Sequence, residues 1–180
     1  MDLRQLSALD ILQHLEAASR ERVMHMPAEL VDRDLWAGVG FRLAGLPVVV
    51  SMSEVSEIFN LPRGLTRVPG ARNWVKGLAN VRGSLIPIID LQAFLGGKPI
   101  VAGRRSRVLV INHAELSTGL LVGDVLGMKH FSPEQQLESV RVESLVSRLV
   151  VGAFRNHEGS WPVISIERLV NDDLFRKAAA

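Results

Sequence analysis

The side chains of this 180-residue chain that could carry chemistry are five histidines, a set of scattered carboxylates and two glycine-bearing segments. His14, His25, His113, His130 and His157 include no pair at the His-Glu-x-x-His spacing that turns two imidazoles toward one zinc ion. His113 and Glu115 stand two apart at an expected strand end and so share a face; with no third ligand beside them they read as a surface polar pair. Glu54, Glu57, Asp90, Glu115 and Asp124 follow no spacing that demands an acid–base couple. No Gly-x-Ser-x-Gly elbow offers a serine nucleophile. Gly38-Val39-Gly40 opens like a dinucleotide fingerprint but has Leu43 where the third glycine belongs, and Gly96-Gly97-Lys98 runs into Pro99 instead of the Ser or Thr of a phosphate loop. The chain has no cysteine, which removes disulfides, thiolate zinc sites and a cysteine nucleophile together. The expectation is a binding module, not an enzyme, with no cofactor and no metal.

Composition narrows the partners. With 47% hydrophobic and 22% charged residues the chain sits at the globular average, and a chain this long can bury about 70% of its unfolded surface. Its 21 basic and 19 acidic residues leave a net charge of +2, weak footing for binding a polyphosphate. The one basic cluster, Arg104-Arg105-Ser106-Arg107, has no interleaved aromatic residue and reads as a solvated loop. Asp10, Glu16 and Arg20 interrupt the N-terminal stretch, so no signal-peptide core is expected there. The longest apolar runs, such as Leu46 to Val50, are strand-sized and far below the ~20 residues of a membrane span. We therefore expect no membrane insertion, no nucleic acid and a reducing, cytoplasmic setting.

The elements that must position any site are mostly strands. Leu6, Leu9, Ile11, Leu12 and Leu15 mix three- and four-residue spacings, which predicts an amphipathic helix ended by Pro27 within an N-terminal extension over residues 1–35. From Trp36 the period changes. Phe41-Arg42-Leu43 and Pro47-Val48-Val49-Val50 predict two strands around a turn at Gly45. Ser51 and Glu54 stand at capping-box spacing, so Ser51 to Ile58 reads as a short helical turn or a strand entry. Further strands are predicted at Leu78 to Arg82, Leu85 to Ile89, Val108 to Asn112, Leu116 to Val122, Leu149 to Arg155 and Trp161 to Ile166. Gly83 fits the first central position of a type II′ turn, which predicts a tight hairpin there. Pro87 lacks an N–H and should mark an edge or a bulge. Ser132-Pro133-Glu134-Gln135 predicts a short helix start. The loop from Gly96 to Gly103 divides these strands into two lobes, about 36–98 and 104–170, ending in a short helix near Ile166 to Leu174 and a tail over 173–180.

The stretch Trp74 to Leu91, reading Trp-Val-Lys-Gly-Leu-Ala-Asn-Val-Arg-Gly-Ser-Leu-Ile-Pro-Ile-Ile-Asp-Leu, closely resembles the CheW-like signature K-G-x-x-N-x-R-G-x-x-x-P-x-x-D-L. Phe41 to Gly45, Val55-Ser56-Glu57-Ile58, and Leu65 to Gly70 fall where that family has its first strand, its V-x-E-I segment and its linker. Gly119 to Val122 and Val151 to Phe154 match later strands more loosely, so the resemblance covers about 36–172. The wording of Trp36 to Arg42 and Trp74 to Gly83 is similar to the PilI branch of the family, which belongs to the system controlling type IV pilus twitching motility. The chain departs from the family after the G-x-x-V strand, where Gly123 precedes Asp124.

What the resemblance implies is a mainly all-β, CheW-like fold of two small five-stranded β-barrel lobes. It implies a non-catalytic adaptor that couples the cytoplasmic hairpin tip of a chemoreceptor to the regulatory domain of a CheA-like histidine kinase, recruited to receptor arrays at the inner face of the membrane. The implied partner-binding residues are Val55, Glu57, Lys76, Asn80, Arg82 and Gly83, with Arg82 paired to Glu57. Read from the residues alone, Gly77 and Gly83 are turn glycines, Asn80 is a polar strand residue and Arg82 is a loop arginine. Three other readings stand beside the adaptor: a small barrel binding nucleic acid through Arg104 to Arg107, a regulatory module of a kinase, and an enzyme with its site between the lobes.

Overall fold

The structure, a computed structural model, describes residues 35–113, 116–138 and 140–179. Ten strands dominate it: β1 Trp36–Leu43, β2 Leu46–Ser51, β3 Val55–Asn60, β4 Val75–Val81, β5 Ser84–Asp90, β6 Arg107–His113, β7 Leu116–Val122, β8 Asp124–Phe131, β9 Val150–Asn156 and β10 Gly159–Ile164. Three short helices are α1 Leu91–Phe94, α2 Ile166–Val170 and α3 Asp173–Ala179. The expected N-terminal helix, and Glu115 of the His113 pair, lie outside the described residues.

The strands form two five-stranded sheets, in the orders β8-β1-β2-β10-β9 and β3-β6-β7-β5-β4. The all-β expectation holds, but the lobes at about 36–98 and 104–170 do not. The second sheet takes the middle of the chain, and the first takes strands from both ends of the domain. The cause is non-local: β10 returns to lie parallel to β2 through Val163↔Val49 and Ile164↔Val50, while β5 lies parallel to β7 through Ile88↔Gly119 to Asp90↔Leu121. A parallel partner far along the chain leaves no local turn signature to read.

Both sheets follow one plan. Each joins an antiparallel hairpin (β1–β2 or β6–β7) to the second arm of another hairpin (β9–β10 or β4–β5), and a short helix follows that arm. Pro87 and Pro162 occupy matching places, each one residue before the parallel ladder begins at Ile88 or Val163. Opposite Pro87, Leu78 turns its N–H and C=O outward to Thr66, at 2.8 and 3.0 Å, so the proline costs no ladder bond.

Strand alternation sorts the core into three clusters. Val39, Phe41, Leu43, Val48 and Val50 of the first sheet meet Ile89, Leu109, Ile111, Leu120 and Val122 of the second in the largest cluster, between the sheets. The opposite faces fill each sheet's own interior: Val49, Phe131, Phe154 and Trp161 in the first, and Ala79, Ile86, Ile88, Val108, Val110 and Leu121 in the second. The strands of the expected first lobe are therefore split three ways, with Phe41 and Leu43 between the sheets, Val49 in the first interior, and Ile86 and Ile88 in the second. Val48-Val49-Val50 shows why: successive residues face opposite sides of a strand, and here both sides are buried.

The chain end also differs from expectation. The predicted helix breaks at Asn171–Asp172 into α2 and α3, and the supposed tail is α3, whose Phe175 is fully buried and meets Phe94 edge-on at 5.2 Å. Strand β8 was not foreseen at all. The segment at Ser132 forms only a 3-10 turn, Pro133–Gln135, with the Gln135 side chain accepting from the Ser132 N–H at 2.9 Å. Met52–Glu54 is likewise a 3-10 turn leading into β3, with Ser51 accepting from the Ser53 N–H.

Candidate partner-binding site

Local sequence builds the β4–β5 hairpin in detail. Val81 pairs with Ser84, so both Arg82 and Gly83 are central turn residues, at φ 51° and 89°. Positive φ at both positions is a type I′ turn, not the II′ turn expected from Gly83 alone, and its twist matches that of the flanking strands. An arginine in the left-handed region costs about 1–2 kcal/mol. The Gly83 N–H donates to Asn80 Oδ1 at 2.9 Å, an offsetting bond worth about 1 kcal/mol.

Glu57 approaches from the opposite edge of the same sheet. The β3–β6 register slips between Val55 and Glu57, and Ser56 takes up the slack by donating its hydroxyl to the Val110 carbonyl at 3.1 Å. Past the slip, Glu57 pairs with Val110, a residue of the sheet's interior, which aims the carboxylate at the mouth of that interior. Edge strands β3 and β4 share no ladder. Glu57 Oε2 and Arg82 Nε span the gap between them at 3.1 Å.

The arginine so held has an 81% exposed side chain, against 29% for Glu57. Its Nε is occupied and its two Nη atoms make no hydrogen bond to a described residue, which leaves the outer edge of the fork open to a carboxylate or carbonyl from outside. Leu85, 67% exposed and paired with Asn80, lies beside it, and Ile58 follows Glu57 with a partly exposed side chain. A fixed guanidinium with the exposed Leu85 three residues on has the make-up of a protein contact.

The structure thus brings Glu57, Asn80, Arg82 and Gly83 together and separates the other two candidates. Val55 pairs with Ile111 inside the shared core and is buried, so it holds β3 in place and offers no contact surface. Lys76 sits at the far end of β4, six residues from Arg82 and about 20 Å away at ~3.3 Å per residue. Its Nζ lies 3.7 Å from Oδ2 of Asp90, a fully buried carboxylate that also accepts from the N–H groups of Ala93 and Ile100 at 3.0 and 2.8 Å. Lys76 therefore supplies the countercharge for a buried acid that caps α1.

Sequence reasoning passed over Leu85 and Asp90, although alternation past Gly83 puts Leu85 on the outer face and Asp90 precedes a helical turn. For Glu54 it read only the capping-box spacing with Ser51. That carboxylate accepts from the Ile166 N–H at 3.2 Å and so ties the β3 entry to the start of α2; burial pushes its pKa above the usual value, with the backbone donors of Ile166 and Ser51 opposing. Among the described residues, no group of three or more His, Cys, Asp or Glu side chains converges as a metal site would require. No helix among them is long and apolar enough to cross a membrane.

Comparison with known proteins bears on this geometry. Residues 37–174 match the family profile described as the CheW-like domain. The protein PilI of Pseudomonas aeruginosa is 36% identical to this chain over 170 residues, 94% of each sequence. The chemotaxis protein CheW of Helicobacter pylori is 31% identical over 84 residues, 47% of this chain and 50% of that one. Among solved structures, the scaffolding protein TtCheW of Thermoanaerobacter tengcongensis shares the fold with a TM-score of 0.63 at 21% identity, over 73% of this chain and 89% of that one.

Proposed function

This chain belongs to the CheW-like domain family, and from that membership we propose that it is a non-catalytic adaptor joining the cytoplasmic hairpin tip of a chemoreceptor to the regulatory domain of a CheA-like histidine kinase. Its similarity to PilI across nearly the whole chain supports a place in a chemosensory system that controls type IV pilus twitching motility. In that role it is cytoplasmic and joins receptor arrays at the inner face of the membrane.

The observation that carries the reading is the Glu57–Arg82 pair. The type I′ turn, the Asn80 bond and the carboxylate together place one guanidinium before any partner arrives, so little ordering cost remains to be met on binding. Glu57, Asn80, Arg82 and Gly83 are the residues we assign to partner contact. An adaptor needs no turnover, and the purified chain should neither hydrolyse ATP nor transfer phosphate.

Titration of the full chain against a receptor cytoplasmic fragment and against the kinase regulatory domain tests the proposal. Binding to both, with no ATP turnover, is the expected result. Failure to bind either one, or ATP hydrolysis that survives stringent purification, removes the adaptor reading.

A further inference from the structure

The end of the second sheet opposite the Arg82 turn gathers positive charge. Strand β6 begins there at Arg107, paired with Asn60 of β3 on one side and Val122 of β7 on the other. Arg63 follows Asn60 by three residues, and Arg104 and Arg105 directly precede Ser106 and Arg107. Lys98 lies in the same connection. The carboxylates nearest by register are Asp124, two residues past Val122, and Asp90, which Lys76 and the Ile100 N–H already engage.

The arginines stand on a built turn. The Ser106 N–H donates to the Gly103 carbonyl at 3.1 Å, and the Gly103 N–H donates to Ser106 Oγ at 3.0 Å. Arg107 Nη1 donates to the carbonyls of Arg104 and Ser106 at 2.8 and 2.9 Å, and Ser106 is buried, which roots the turn in the barrel end. Arg104 and Arg105 take the two central positions. Both are exposed, and neither forms an ion pair with a described residue. Three residues before Arg104, Val101 is 91% exposed.

We propose that this turn is a docking surface for an acidic protein segment in which carboxylates flank an apolar side chain. Two guanidinium forks on a fixed backbone match paired carboxylates, and Val101 supplies the apolar contact between them and the barrel. A nucleic acid fits less well, because the chain is close to charge balance and the 98–107 connection has no aromatic residue on which a base could stack. A lipid surface fits less well too, since this turn presents one exposed valine and little apolar area for insertion. The surface adds a contact beyond the partner residues assigned above. It lies a strand's length, about 20 Å, from Arg82, so both ends can be occupied at once.

Fluorescence anisotropy on the full chain tests this with a labelled peptide of repeating Glu-Glu-Leu, its Gln-for-Glu neutral counterpart Gln-Gln-Leu, and a single-stranded oligonucleotide, beside phosphatidylglycerol vesicles read by co-sedimentation. The acidic peptide should bind, lose roughly tenfold or more in affinity with Arg104→Glu/Arg105→Glu, and lose roughly tenfold between about 50 and 300 mM salt. Circular dichroism should show both variants folded, and Arg104→Gln/Arg105→Gln repeats the test should the charge reversal disturb the turn. No binding of the acidic peptide, equal binding of the neutral one, or binding indifferent to both variants overturns the proposal. Tighter binding of the oligonucleotide or the vesicles, lost with the same variants, overturns the choice of partner.

Discussion

In the first sheet the side chains that bridge the two edge strands are Lys129 of β8 and Glu158 of the β9–β10 turn; in the second they are Glu57 of β3 and Arg82 of the β4–β5 turn. The places correspond and the charges are exchanged. Their surroundings differ sharply. Lys129 lies 4.6 Å over the Trp161 ring with its side chain only 15% exposed, above an interior where Phe131 stacks on Phe154 at 4.6 Å and Trp36 meets Phe154 at a tilt, 4.9 Å away. The second interior fully buries only aliphatic side chains, with Phe59 partly buried against them, and Arg82 is left largely exposed. The turn asparagines follow suit: Asn156 Oδ1 accepts from Trp161 Nε1 as well as from the Glu158 N–H, whereas Asn80 serves only the turn. One topology therefore yields a sealed barrel end and an open one, and the aromatic filling of the interior decides which.

The largest effect that could break this comparison concerns the core that joins the sheets. Leu109→Ala removes a side chain from the shared cluster and should cost about 2–5 kcal/mol, while Val110→Ala, its neighbour facing the second interior, should cost about 2 kcal/mol. Both proteins should melt in one transition, followed together by far-UV circular dichroism and by the near-UV signal of Trp161 and Trp74. Transitions that separate under Leu109→Ala would mean that the sheets are independent units. Next comes charge reversal at the two bridges. Arg82→Asp should leave stability within about 1 kcal/mol yet weaken partner binding by about 2–5 kcal/mol, roughly thirty-fold or more. Lys129→Asp should do the opposite, losing a cation–π contact worth about 1 kcal/mol while partner affinity stays. Equal binding losses in both variants would erase the distinction between sealed and open ends. A smaller change is expected from Asn80→Ala, about 1 kcal/mol of stability and a few-fold of affinity, since the turn loosens but the guanidinium remains.

How far these features can be read from the sequence depends on how far apart the interacting residues are. Strands β1, β2, β4 to β7, β9 and β10 were legible because β-branched runs bounded by glycine act within a few residues; Pro87 misled, since β5 lies between β7 and β4 and keeps its register at the proline. The pairing of β10 with β2 was not legible, since every strand of the second sheet lies between Val49 and Val163 in the sequence. Strand β8 escaped because Gly127 at φ 91° and the exposed Met128 blur its alternation. At the site, Glu57 and Arg82 were placed by family resemblance, and spacing alone left Arg82 as a loop arginine. Val55 misled for a physical reason: a valine two residues before a site glutamate would share its outward face in a regular strand, but the slip at Ser56 turns Val55 into the core.

The smallest effect separates the bridges by their titration. Glu158 lies at the surface, yet its carboxyl is held below the usual value, chiefly by the hydrogen bond from Lys129 at 2.6 Å and further by the Asn156 side chain and the charge of His157. A depressed folded-state pKa means that the carboxylate contributes stability at pH values above its unfolded pKa, about 4.3, and loses that contribution as the pH falls through the folded value. Because solvent screens the pair, the change in melting will be slight and the carboxyl resonance itself is the better readout. Lys129→Met keeps a side chain over the Trp161 ring, as a sulfur–aromatic contact, while removing the charge. In that variant the Glu158 carboxyl should titrate upward, back toward the ordinary glutamate value, in an NMR series from about pH 2 to 6. A curve that does not move would assign the depression to Asn156 and His157, and would leave Lys129 as a lid on Trp161 with no electrostatic part in closing the first sheet.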